Sequence, residues 1–131
     1  MAVKTRILRI QSLVAYLQSE SDGDEVFLRY KNKKIAPLKK KFYKMTREPL
    51  EINAEIKLDG SEKWVELELW EYDLLLPNTC LGEFKLLVGQ QSDSFSAELV
   101  RETDSQARYV LNWELLLKME KKTVAPGKKV K

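Results

Sequence analysis

Residues 64–84 read Trp64-Val-Glu-Leu-Glu-Leu-Trp-Glu-Tyr-Asp-Leu-Leu-Leu-Pro-Asn-Thr-Cys-Leu-Gly-Glu-Phe84, and this stretch decides the fold. Val65, Leu67 and Leu69 fall on one face of an extended chain. Trp64, Glu66, Glu68 and Trp70 fall on the other. Such a period of two marks a strand with one face in a core and one in water. A loop follows, Glu71 to Thr79, carrying Asp73, Pro77 and Asn78. Leu81-Gly82-Glu83-Phe84 then opens the next strand.

Upstream, Leu50, Ile52, Ala54, Ile56 and Leu58 alternate with Glu51, Asn53, Glu55 and Lys57. Asp59-Gly60 separates this strand from Trp64, which predicts a tight hairpin between the two. Further back, residues 3–14 read as a first strand with imperfect alternation. Residues 15–25 are a polar loop, and Val26, Leu28 and Tyr30 belong to a second strand. Asn32-Lys33-Lys34 reads as a turn. Ile35 to Tyr43 reads as a third strand, with Pro37 placing it at an edge or a bulge. Downstream, Gly82–Val88, Phe95–Arg101 and Tyr109–Leu117 complete a set of eight strands, with no amphipathic helix. That pattern predicts an all-β, antiparallel, eight-stranded sandwich or barrel. Leu67, Leu69, Ile52, Ile56, Leu111 and Trp113 are its expected core. Residues 1–118 form the expected domain, and 119–131 a basic tail.

The chain holds 23 basic and 20 acidic residues, distributed unevenly. Residues 29–47 carry nine basic side chains and no acidic one, whereas residues 48–117 carry five basic and fifteen acidic. The partners are therefore expected to be read by local charge, not by the total. The basic strip holds Lys31, Lys33, Lys34, Lys39, Lys40, Lys41 and Lys44. Phe42 and Tyr43 interleave with it, but the acidic body disfavours nucleic acid. With no histidine in the chain, no Gly-rich phosphate loop and no metal-ligand spacing, no catalytic residue is assigned. The single cysteine, Cys80, reads as a small semi-buried side chain and fits a reducing compartment. No apolar run approaches the ~18 residues that cross a bilayer, and the first residues lack a secretory pattern. A cytoplasmic protein, peripheral to a membrane, is the expectation.

Strand, acidic loop, then Leu81-Gly82 resembles the C2 domain family, as does Ser21–Tyr30 at the entry to the second strand. The resemblance covers roughly residues 3–117 and implies a Greek-key sandwich with binding loops at one end. Calcium-binding members of that family hold aspartates in two such loops. Here Asp24 matches one, Glu71 and Asp73 match the Asp-x-Asp pair, Thr79 replaces another, and Gln18 a further one, with Glu20 or Asp22 as stand-ins. Ca²⁺ requires six to eight oxygens and gains affinity from ligand charge. Asp22, Asp24, Glu71 and Asp73 therefore form at most a weak site, and no cofactor is expected. The alternative role of these aspartates is to satisfy turn backbone.

Some C2 domains bind anionic phospholipid through lysines on the corresponding strands. The resemblance thus implies calcium-independent docking to acidic membranes through Lys31–Lys44. The alternative for the strip itself is a charged edge that resists aggregation. Leu74, Leu75 and Leu76 either fold back over the sandwich end or meet a membrane. Trp64 and Trp70, outward of the strand, mark the other expected function: a protein-protein adaptor or assembly surface.

Overall fold

A computed structural model of the chain describes residues 2–18, 23–59, 61–89, 93–102 and 106–121, those at 2–4 and 118–121 by backbone alone. The fold is a sandwich of two antiparallel sheets. Ten strands build it: β1 (Ala2–Leu17), β2 (Glu25–Tyr30), β3 (Lys33–Ala36), β4 (Tyr43–Lys44), β5 (Leu50–Leu58), β6 (Trp64–Glu71), β7 (Thr79–Leu87), β8 (Ser94–Glu98), β9 (Val100–Arg101) and β10 (Arg108–Lys121). The eight expected strands become ten because two of them break. The third breaks around Pro37, whose missing N–H cannot continue a ladder. It leaves β3 and β4 as two pieces that both pair with β2. The seventh breaks at Leu99, where the chain changes sheets: β8 pairs with β10 and β9 with β7. The last strand runs past Leu117 to Lys121, and residues 122–131 of the tail lie outside the described residues.

One sheet has the order β5-β1-β10-β8. The other has the order β3-β2-β6-β7-β9, with β4 continuing the β3 edge. Consecutive strands therefore cross repeatedly between the layers, the Greek-key connectivity of a C2-like sandwich. One such crossing corrects the hairpin expected at Asp59-Gly60. β5 pairs with β1, while β6 pairs with β2 and β7, so the Asp59 turn is a corner between layers. Lys63 anchors that corner, its carbonyl accepting from Val88 N at 2.8 Å and Gly89 N at 3.2 Å. A turn signal between two alternating segments is common to hairpins and corners, and only the pairing separates them.

The imperfect alternation of β1 has a physical cause. Ile10 faces Trp113 while Ser12 faces Asn112, so Gln11 is an extra residue opposite β10. This β-bulge moves the buried set from Leu8 and Ile10 to Leu13. The core fills the space between the layers with Leu8, Ile10, Leu13, Val26, Leu28, Val65, Leu67, Leu69, Phe84, Leu86, Tyr109 and Leu111 among others. Of the expected core, Leu67, Leu69, Leu111 and Trp113 are buried. Ile52 and Ile56 are half-buried and pack against it, because β5 is an edge strand with only β1 beside it.

Gly82 explains why Leu81-Gly82 is so informative. Its φ is +151°, and a Cβ there would stand 2.3 Å from the carbonyl oxygen of Val100. β9 pairs beside this position at close range, so only a residue without a side chain lets the strand that switches sheets close the six-stranded layer.

Candidate functional site

The loop between β6 and β7 lies at one end of the sandwich. Asp73 organises it: its Oδ1 accepts from Leu75 N and Leu76 N, both at 2.9 Å, and its own N–H donates to Asn78 Oδ1 at 2.8 Å. With the backbone satisfied by this Asx-type turn, the leucines are left to point outward. Leu74, Leu75 and Leu76 are 77%, 88% and 68% exposed, so the leucines do not fold back over the sandwich.

The base of this loop touches the basic strip. Tyr72 stacks on Phe42 with ring centroids 5.2 Å apart, and Lys41 Nζ lies 5.8 Å from the Tyr72 ring. Lys40 Nζ lies 5.5 Å from the Tyr43 ring. Leu38, Lys39, Lys40 and Lys41 form an exposed bend where an alternating strand was expected, since Pro37 has no N–H to continue the β3 ladder. Lys34 holds the bend by donating to the Lys40 carbonyl at 2.8 Å. Lys44 is engaged with Glu25 at 3.9 Å and donates to the Gly23 carbonyl. Lys31 and Lys33 sit at the far end, in the β2–β3 hairpin. Lys31 and Asn32 form its two-residue turn, both with positive φ. The turn was expected one residue later. The seven lysines thus run along one sheet edge, with the bend at 38–41 closest to the leucine loop.

The acidic residues at this end have structural partners. Asp24 is fully buried and accepts from Tyr109 Oη at 2.5 Å. Burial first, and this bond second, push the Tyr109 hydroxyl far above the ordinary tyrosine range. Gln18 accepts from Asp24 N through Oε1, and Asp24's carbonyl accepts from Met45 N at 2.8 Å. Glu71 pairs with Val26 and Thr79 across the six-stranded sheet. Glu20 and Asp22 lie outside the described residues. Among the described residues no three His, Cys, Asp or Glu side chains gather as metal ligands do.

The two outward tryptophans differ. Trp70 is half-covered by its own face: Phe27 stacks at 6.3 Å, the Arg29 guanidinium lies 4.7 Å over the ring, and Nε1 donates to Glu68 at 2.9 Å. Trp64 is 55% exposed. It lines a groove with Tyr30, Lys31, Glu62, Glu66, Glu68 and Glu83. Cys80 is half-buried beside Trp70, and burial holds its thiol above the ordinary value, the protonated and unreactive form. Sequence reasoning could not find the Phe42–Tyr72 contact or the Trp64 groove, because both join residues far apart in the chain.

No family model and no curated protein matches this sequence. Among solved structures, the C2A domain of plant extended synaptotagmin 1 superposes with a TM-score of 0.62 at 20% identity, over 93% of this chain and 99% of that one. The chain therefore has the C2-domain fold. Among the described residues no helix is long and apolar enough to cross a membrane.

Proposed function

We propose that the domain is a non-catalytic module that docks on anionic phospholipid membranes without calcium, from the cytoplasmic side. The observation that carries this reading is the juxtaposition of three exposed leucines with Leu38 and the lysine bend, joined through Phe42 and Tyr72. Apolar patches this concentrated are uncommon on surfaces that meet only water. Each lysine near an anionic leaflet contributes about 1 kcal/mol. Burying a leucine side chain adds about 1.5–3 kcal/mol when complete. Neither term alone gives firm attachment, but a basic patch with an apolar anchor does. Calcium is unnecessary to this reading because Asp24 and Asp73 already serve the backbone and Tyr109.

Cosedimentation with anionic vesicles, with and without phosphoinositide and in the presence of a chelator, tests it. Binding is expected at low salt and should fall steeply near 1 M salt, where the Debye length is about 3 Å. Lys39→Glu with Lys41→Glu should weaken it by at least about 2 kcal/mol. Failure of the unaltered protein to bind anionic vesicles at low salt would discard the reading. A tight calcium site in calorimetry, lost in Asp73→Asn, would remove its calcium-independent part.

A further inference from the structure

We infer that the outer face of the six-stranded sheet around Trp64 docks a lysine- or arginine-rich segment of a partner protein. The face shares Lys31 with the basic strip but lies apart from the leucine loop and the lysine bend. Trp64 begins β6 and the leucine loop follows its end, a separation of about 23 Å at ~3.3 Å per residue. Both surfaces can therefore be occupied at once.

The chemistry of the groove selects the occupant. Its volume is about 500 Å³, and four carboxylates line it, those of Glu62, Glu66, Glu68 and Glu83, against one cation, Lys31. Lys85, opposite Glu66 on β7, and Arg29, opposite Glu68 on β2, are further cations on the same face. The four carboxylates still outnumber these three cations, and Arg29 is already held over Trp70. Their crowding is felt at Glu83, whose acid is held above the ordinary range by partial burial and then by Glu66, with Glu68 and Glu102 adding and Lys85 opposing. An incoming cation relieves that repulsion. At the centre stands a large indole face in water, and a cation over an indole is attracted by its quadrupole.

The same sheet face displays the completed form of this arrangement. Six residues along β6, Trp70 carries the Arg29 guanidinium over its ring and Glu68 beside its Nε1. Trp64 has the carboxylates, yet among the described residues no cation lies over its ring. A partner's arginine or lysine supplies the missing piece at Trp64, while the Tyr30 ring beside it already carries Lys31 Nζ at 5.2 Å.

Fluorescence anisotropy with a labelled alternating Arg-Gly peptide, and with its uncharged citrulline counterpart, tests this on the full chain. The arginine peptide should bind and the citrulline peptide should not. Trp64→Ala should weaken binding about tenfold, the scale of one cation–π contact with its desolvation. Trp64→Phe should retain most of it, and Glu62→Lys with Glu66→Lys should abolish it. Thermal melts should match for the two Trp64 variants, and vesicle binding should be unchanged in Trp64→Ala, which separates this surface from the membrane end. Absence of peptide binding, or binding indifferent to both the Trp64 and the glutamate changes, overturns the inference. So does sedimentation velocity showing a dimer that dissolves in Lys39→Glu with Lys41→Glu, since the occupant would then be a second copy of this chain.

Discussion

Two sets of three apolar side chains lie within one stretch of twelve residues and meet opposite fates. Val65, Leu67 and Leu69 on β6 are sealed between the sheets, while Leu74, Leu75 and Leu76 stand in solvent. Hydrophobicity does not separate them. The first set alternates with glutamates on a strand paired on both sides, so its side chains share one face and meet the opposite sheet. The second set is consecutive and follows Asp73, whose carboxylate takes up the loop's N–H groups and leaves the side chains outside. Burial is thus set by backbone hydrogen bonding, and the exposed set is the one available for function.

The sharpest way to break this comparison is to truncate one member of each set. Leu67→Ala should destabilise the fold by about 2–5 kcal/mol in denaturant titrations, through lost transfer energy and an unfilled cavity. Leu75→Ala should leave the midpoint within about 0.5 kcal/mol. Equal losses from the two changes would mean the loop packs on the body after all.

A smaller effect is expected at the loop end's internal support. Tyr109→Phe removes the donor to buried Asp24 and should cost about 1–3 kcal/mol. The same variant carries a pH signature. The folded Tyr109 pKa lies above the unfolded one, so its stabilisation is complete below the unfolded value, near 10, and is lost as pH rises beyond it. Wild-type stability should therefore fall on the alkaline side above about pH 10, and Tyr109→Phe should show a shallower decline. An identical slope in both proteins would place the alkaline loss elsewhere.

Asp73→Ala should cost about 0.5–1.5 kcal/mol, the net worth of a typical hydrogen bond, since the loop's N–H groups are exposed and water replaces the carboxylate. The loop backbone should gain amide exchange while β6 stays protected. The smallest change in stability is expected for Leu75→Asp, within about 0.5 kcal/mol. Binding to anionic vesicles should nevertheless be lost, because a charge replaces the apolar anchor. A variant that binds as well as wild type would leave the lysines as the whole of the membrane contact.

The sequence by itself determined the sandwich. Alternation in 50–58, 64–71 and 109–117 fixed which residues face inward, because a two-residue period is a property of any extended chain. Leu81-Gly82 marked the fold for a local steric reason, the close approach of β9 beside Gly82. The basic strip was equally visible, since charge is written residue by residue. Only the tertiary structure decided which strands are neighbours. It turned the Asp59 hairpin into a corner, broke the strand containing Pro37 into a bend, and brought Phe42 and Lys41 onto Tyr72. It also covered Trp70 with Phe27 and Arg29 while leaving Trp64 open among glutamates of β6, β7 and the turn before β6. Periodicity reports the orientation of a side chain about its own strand, but contacts between strands depend on pairing and register, which the chain acquires only when its two layers close.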